Sequence, residues 1–303
     1  MKKKMLTLLM TLLLAGWSLN AWSFNCKTVA GASIPIGGGS ANVYVNLEPS
    51  INVGQNLIID LSTQISCKND SVNGFITDFV SLEQGSTYGG ALLNFKGTLR
   101  HDGNSYPFPL MSSTSTKSYN DTSYSPWPVQ LYLTPVSVAQ GVVITSGSLI
   151  AILKFHQTND YNGRSDYFIW NIYASNDVVI PTGGCDVSAR NVTVTLPDYP
   201  GTIAVPVSVY CAQNQNLGYY LSGTTADSAS SIFTNTASAS PADGIGIQLK
   251  RNGSVLSTNS TVSLGMVGTS AVNLGLTATY ARTTGQVTAG NVQSIIGVTF
   301  VYQ

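Results

Sequence analysis

Apolar and polar residues alternate with a period of two along most of this chain. Val43, Val45 and Leu47 alternate with polar neighbours, as do Val129, Leu131 and Leu133, and again Phe168, Trp170 and Ile172. Such a pattern buries one face of a strand. Leu57 to Leu61 is an apolar run of strand length, and Gly37-Gly38-Gly39, Gly89-Gly90, Pro107-Phe108-Pro109 and Pro126-Trp127-Pro128 punctuate the series. Beyond Cys185 the alternation is cleaner. Val192, Val194 and Leu196 form one series, and Val205, Val207 and Val209 the next. Ile245, Ile247 and Leu249 run into Asn252-Gly253, a strong hairpin signal. Val272 to Tyr280 reads as one long strand, and Ile296, Val298, Phe300 and Tyr302 as the last. Many short strands with regular turns predict an all-β protein, a sandwich or Greek-key barrel in its first part.

The pattern is interrupted at Pro181-Thr182-Gly183-Gly184-Cys185. Proline cannot donate to a ladder and glycine adds no packing, so a continuing strand stops here. One reading is a short linker between two domains; the other is a tight turn inside one large β domain. The 303 residues suffice for two domains. The four cysteines allow three pairings. Only Cys26 with Cys67 and Cys185 with Cys211 keeps each bridge on its own side of the break. A metal site is the rival use of these cysteines, but there is no CxxC, and only His101 and His156 could assist.

Charge and the amino end narrow the class. Charged residues are 9% and the formal net charge is zero, which argues against nucleic acid as a partner. Met1-Lys2-Lys3-Lys4, the apolar stretch Met5 to Gly16, and Ala21-Trp22-Ser23 together read as a signal peptide over 1–23, cleaved before Phe24. That apolar run is shorter than the roughly 20 residues that span a bilayer, and no later segment is apolar enough. An exported chain favours disulfides over a cysteine metal site. The final alternating strand stops at Gln303 with nothing after it, an edge open to strand addition unless it pairs within its own sheet.

An enzyme is the main competitor in kind. Asp70 and Asp78 are conceivable glycosidase carboxylates, but neither has an apolar setting to raise its pKa. No nucleophile elbow is evident, and neither histidine has a triad context. No catalytic residue, cofactor or metal is expected.

Several stretches resemble one family. Gly290 stands 13 residues before Gln303, Tyr302 is penultimate, and an alternating strand lies between. Cys185-Asp186-Val187-Ser188-Ala189-Arg190, Leu196-Pro197-Asp198-Tyr199-Pro200 and Tyr302-Gln303 look like the pilin domain of the type 1 (FimH-like) fimbrial tip adhesins. Phe24-Asn25-Cys26, Ile34-Pro35-Ile36-Gly37-Gly38-Gly39, Cys67-Lys68-Asn69-Asp70 and Trp170-Asn171-Ile172-Tyr173 resemble the same family's lectin domain. The resemblance implies a jelly-roll or immunoglobulin-like β-sandwich lectin domain at 24–181, a linker at 182–184, and an incomplete immunoglobulin-like pilin domain at 185–303. A partner's donor strand completes the second domain. The implied partners are a host glycan or glycoprotein, a periplasmic fimbrial chaperone, the usher and the adjacent tip subunit. The implied location is the fimbrial tip, reached through the periplasm. Gly290, Val298, Phe300 and Tyr302 are the expected chaperone and subunit contacts. A purely structural pilus subunit would carry a strand to donate, whereas Phe24-Asn25-Cys26 leaves no free extension.

Sugar hydroxyls call for planar polar groups, and Asn, Asp and Gln supply them from two loops, Asn69 to Asp78 and Gln157 to Asp166. For any single one of these the bland alternative is a turn residue bonding its own backbone. Carried over from the family, the ligand contacts are the free amino end of Phe24, then Asn69, Asp70, Asp78, Gln157 and Asn159, with Ile36, Ile76 and Tyr161 at the rim. The chain departs from the family at three points. Ser71 stands where the family has a gating tyrosine, with Phe75 as a substitute ring. Counted back from Trp170 without gaps, Arg164 replaces a pocket aspartate and Asp166 replaces a phenylalanine. A local shift would let Asp166 act as the acceptor, with Tyr167 or Phe168 as the ring. The resemblance therefore implies a mannose-type glycan, and the departures leave another glycan or a protein receptor as alternatives.

Overall fold

In the computed structural model, residues 24–35, 38–71, 75–136, 141–258 and 260–303 are described. The expected leader 1–23, the rim residue Ile36 and Val72-Asn73-Gly74 lie outside them. Among the described residues the regular elements are β-strands, apart from two short 3-10 turns at Leu61–Thr63 and Gly90–Leu92.

The N-terminal half is organised on a long hairpin, Leu149–Asn159 against Ser165–Ala174. Its inward positions alternate as the sequence pattern requires, so Phe155 faces Phe168 and Gln157 faces Asp166 across the ladder. Asp78–Leu82 adds antiparallel on one side and Gly39–Val45 adds parallel on the other. A five-stranded sheet follows the order Asn104–Phe108, Gly97–His101, Val129–Leu133, Gln55–Asp60, Ser50–Asn52. A smaller sheet pairs Phe24–Thr28 with Ile65–Asn69 in a register that puts Cys26 opposite Cys67, and the two form a disulfide. Trp127 lies at the centre of the core, fully buried, with Tyr119, Trp170 and Phe155 ring centroids 5.7, 5.3 and 5.6 Å away. Rings of this size contribute through area and through their tilted and stacked contacts.

The C-terminal half has its own core. One buried cluster runs from Phe24 to Ile180 and a second from Cys185 to Phe300, with no residue in common. Cys185 and Cys211 face each other and are bonded. The molecule is thus a two-domain all-β protein. The break between the domains is held from both sides. Asn56 Nδ2 donates to the carbonyls of Pro181 and Gly183 at 2.9 and 2.7 Å, and the Gly184 N–H donates to Tyr302 Oη at 2.8 Å.

Three alternating series behave differently from their simplest reading. The series at Val205, Val207 and Val209 is cut by Pro206, which has no N–H to give. Thr202–Ala204 joins Leu276–Arg282, while Ser208–Cys211 joins Cys185–Val187. Val272 to Tyr280 is two strands, not one. The chain leaves the first sheet at Asn273, turns at Gly275 with φ +68°, and enters another at Leu276. Val192, Val194 and Leu196 alternate in burial but have no ladder, and residues 191–196 form no assigned strand.

Candidate functional site

At the end of the long hairpin the inward face turns from aromatic to polar. Asn69 and Asp78 are fully buried and Gln157 is 6% exposed. Asn69 Nδ2 lies 2.8 Å from Asp78 Oδ2, and Gln157 Nε2 donates to Asp78 Oδ1 at 2.9 Å. Both carboxylate oxygens are therefore held by amides, which offsets the cost of burying them. Asn69 Nδ2 also points at the carbonyls of Ile76 and Tyr119, at 2.7 and 2.9 Å. Its Oδ1 accepts the Ser71 N–H at 2.6 Å. Gln157 Oε1 is buried without a hydrogen-bond partner, an acceptor suited to a ligand hydroxyl.

Phe24 sits beside this cluster. It is opposite Asn69 in the ladder and 1% exposed, and its ring lies 4.9 Å from that of Tyr119. The Cys26–Cys67 bridge, two residues further along both strands, fixes this pairing. The backbone nitrogen of Phe24 thus lies at a strand position opposite Asn69.

The other expected contacts are arranged around the rim. Asp70 Oδ1 lies 2.5 Å from Lys68 Nζ, and that bond holds the ammonium above its usual pKa. Asn159 is opposite Asp78, but its Oδ1 accepts the N–H groups of Tyr161 and Asn162 at 3.3 and 3.1 Å, the turn role. Regular register sets Asp166 across from Gln157 on the inward face of the hairpin. Arg164 Nε donates to Asp166 Oδ2, forming an ion pair. Ile76 is half-buried and supplies a carbonyl to Asn69. Tyr161 and Phe75 are 74% and 80% exposed, so Phe75 forms no wall over the cluster. Ser71, where a ring was expected by resemblance, is buried.

Sequence reasoning missed the struts that hold the two loops together. The Thr77 N–H donates to Asp160 Oδ1 at 2.8 Å, and the Asp160 N–H returns to the Thr77 carbonyl at 3.3 Å. The Thr77 bond lowers the Asp160 carboxyl pKa. Tyr119, 50 residues from Asn69, supplies the floor ring and a carbonyl acceptor. No local pattern announces contacts at such separations. Among the described residues no three His, Cys, Asp or Glu side chains come together as a metal site, and no helix is long and apolar enough to cross a membrane.

An open groove lies elsewhere. This groove of about 840 Å³ lies in the C-terminal half, its lining including Val192, Val194 and Leu196 as well as Ile296, Val298 and Phe300. Val207, Val209 and Leu249 are among the residues lining it. Gly297–Tyr302 pairs with Gln215–Ser222 and is the end strand of its sheet. Phe300 is buried, while Val298 and Tyr302 are half-buried. Gly290 is exposed, but a Cβ there would meet Ala242 N and Ser240 O at 2.5 Å.

Comparison with known proteins gives consistent matches. The family model described as "FimH, mannose binding" matches residues 26–171, and that described as "Fimbrial protein" matches residues 176–303. The chain is 68% identical over 301 residues to the type 1 fimbrin D-mannose specific adhesin of Escherichia coli strain K12, covering 99% of this chain and all of that protein. It is 39% identical over 280 residues to the S-fimbrial protein subunit SfaH of Escherichia coli O6:K15:H31, covering 87% and 92%. Among solved structures, the CupB6 tip adhesin of Pseudomonas aeruginosa aligns over 85% of this chain and 94% of its own, at 14% identity and TM-score 0.30.

Proposed function

The chain belongs to the FimH mannose-binding family of fimbrial adhesins, and from that premise we propose that it binds a terminal mannose-type glycan on host cells through the polar cluster at the end of the N-terminal hairpin. The observation that carries the proposal is Gln157 Oε1, a buried acceptor without a partner beside an Asn69–Asp78 pair already locked in place. A sugar hydroxyl completes that network. Asp70 and Asp166 add acceptors at the rim, Asn159 braces the loop, and Ile76 and Tyr161 supply apolar edges. Cleavage of the leader before Phe24 places a free ammonium beside Asn69, so export matures the site. The protein is a lectin and returns its glycan intact.

The second half is the attachment domain. We read the divisions as lectin 24–181, linker 182–184 and pilin domain 185–303, in keeping with the two separate cores. The groove walled by residues 191–196 and 296–300 takes a partner's strand. Unladdered alternation at 191–196 is what a segment awaiting its neighbour displays. A periplasmic chaperone supplies that strand first, the usher receives the complex, and the adjacent tip subunit replaces it. Export through the periplasm to the fimbrial tip follows from this sequence of partners.

One observation favours a second reading. Ser71 gives no ring and Phe75 is 80% exposed, so the wall against the sugar's apolar face is thin. On that reading the receptor is a different glycan or a protein. The test is binding of the mature protein, with native amino end, to immobilised mannosides and galactosides. Mannoside binding displaced by free mannose supports the first reading. Binding to another sugar alone, or to none, overturns it.

A further inference from the structure

We infer that Arg164 is a positioning residue of the sugar site, holding Asp166 so that its second oxygen faces the ligand, and that it makes binding of an uncharged sugar depend on salt. The inference rests on the proposed lectin reading.

Read from the sequence, Arg164 is a lost acceptor, since a guanidinium only donates. The geometry gives it another role. Asp166 stands directly opposite Gln157, so both side chains leave the hairpin on the same face. Gln157 Oε1 is the unpartnered buried acceptor of the cluster. Arg164 is two residues before Asp166, and its Nε donates to Asp166 Oδ2. Asp166 Oδ1 takes no part in that bond. With Oδ2 held by Arg164, we assign Oδ1 to the ligand, on the strand face that Asp166 shares with Gln157. The two acceptors lie across one rung of a ladder, a spacing fixed by backbone hydrogen bonds.

The loop is built to keep Arg164 there. Asn159 Oδ1 gathers the N–H groups of Tyr161 and Asn162. Asn162 Oδ1 in turn accepts the Arg164 N–H at 3.1 Å, and the Asn159 N–H closes on the Arg164 carbonyl at 3.3 Å. Gly163 turns between them with φ +64°. The guanidinium therefore starts from a fixed backbone and reaches forward two residues to Asp166. Side-chain exposures of 33% for Arg164 and 22% for Asp166 leave the pair open to screening.

This predicts a signature that a purely structural role does not produce. An uncharged sugar has no charge for salt to screen, so salt acts on its affinity through the charged groups that orient its acceptors, the Arg164–Asp166 pair and the Lys68–Asp70 pair among them, and replacing Arg164 isolates the first. The experiment uses the full mature chain with its native amino end, completed by a donor-strand peptide, and a neutral methyl mannoside as probe. Affinity is measured by calorimetry at about 0.05 M and about 0.5 M sodium chloride, where screening lengths differ severalfold. For the wild type we expect affinity to fall about two- to fivefold at high salt, the range of an exposed ion pair. Arg164→Gln should be weaker by a similar factor at low salt and clearly less sensitive to salt than the wild type, with Arg164→Lys recovering part of both. Asp166→Asn should lose about tenfold or more. Tryptophan fluorescence confirms that each variant is folded. A salt-independent wild type, an Arg164→Gln that binds equally or more tightly, or an unaffected Asp166→Asn overturns the inference while leaving mannoside binding intact. A folded wild type that binds no mannoside at either salt overturns the mannose reading and this inference with it.

Discussion

The hydroxyl of Tyr302 accepts the backbone N–H of Gly184 at 2.8 Å, joining the last strand to the break between the two domains. The strand that carries Tyr302 also carries Phe300 and Val298, which wall the C-terminal groove. One hydrogen bond therefore links the groove wall to the linker. Tyr302→Phe should destabilise the C-terminal domain by about 1 kcal/mol, the usual net value of such a bond. After residue 23 the tryptophans are Trp127 and Trp170, both in the N-terminal half. Circular dichroism should therefore show an earlier C-terminal transition in urea while the tryptophan transition stays put. Coincident shifts in both signals would mean the two domains unfold as one unit.

Asp78 anchors the buried polar cluster at the end of the hairpin. It receives an amide from each of Asn69 and Gln157 and is fully buried. Asp78→Asn turns one acceptor into a donor facing a donor. A buried group left unsatisfied costs about 1–3 kcal/mol, and more beside a charge. The expected result is a loss of about 2–3 kcal/mol in the tryptophan-detected urea transition, with mannoside binding gone. Retained binding at reduced stability would separate Asp78 from the ligand.

How much of this site was legible depends on what each residue does. Gln157 and Asp78 sit on alternating strands, and period-two patterning places them inward without reference to anything distant. Asn159 illustrates the limit. Its side chain serves its own turn, and the sequence offers that reading and the ligand reading equally. Tyr119 and Thr77–Asp160 act across 50 and 83 residues, where composition and period carry no information. In the C-terminal half, alternation at Val192, Val194 and Leu196 shows which side chains turn inward but not whether a neighbour is present to form the ladder. Pro206 and Gly275 carried the opposite lesson. Each interrupts an apparently continuous series through its own backbone chemistry, and each was visible in the sequence as a breaker.

His101 should make the N-terminal domain acid-sensitive. Burial lowers its pKa from 6.5 to about 4, with Lys117 also lowering it and Asp102 opposing. Thr114 Oγ1 lies 3.2 Å from His101 Nδ1, and His101 Nε2 is buried without a hydrogen-bond partner, so the site gives a second ring proton nothing to bond at Nε2. The folded state therefore holds the neutral ring, and the unfolded chain binds the proton first. Stability is unaffected above pH 6.5, declines as pH falls from there, and levels off below about pH 4. The full loss is about 3 kcal/mol by linkage. His101→Phe should flatten this part of the pH profile of the tryptophan transition. An unchanged slope would assign the acid sensitivity to carboxylates.

Gly290 is required by space as well as by any partner. A Cβ there would lie 2.5 Å from Ala242 N and Ser240 O, both backbone atoms that cannot swing aside. Pro241 and Asn291 form a bridge at the same place, and the Ala242 N–H donates to the Asn291 carbonyl at 3.0 Å. Gly290→Ala should destabilise the C-terminal domain by about 1–3 kcal/mol, as overpacking does. Donor-strand binding should weaken only as far as that loss of stability explains. A larger binding defect at full stability would make Gly290 a direct contact.

The groove makes a sharper demand on its occupant. Val298 and Val194 both line the groove, half-buried, and on the donor-strand reading an incoming strand buries both further. An aspartate at either place would be enclosed without a partner when the strand enters, and an unpaired buried charge costs several kcal/mol. Val298→Asp and Val194→Asp should each weaken capture of a peptide with alternating apolar residues by about 100-fold or more, since each 1.4 kcal/mol is tenfold. Tyr220 provides the control, because it lies on the neighbouring strand opposite Thr299 and is 36% exposed. Tyr220→Asp should bind the peptide within about threefold of wild type, as surface changes of ~0.5 kcal/mol imply. Fluorescence anisotropy of a labelled peptide reads all three. Because Val194 belongs to no ladder, its variant tests the groove without disturbing a strand pair. If Val194→Asp captured the peptide normally while Val298→Asp did not, the strand would enter along the Gly297–Tyr302 edge alone, and the unladdered segment at 191–196 would need another neighbour.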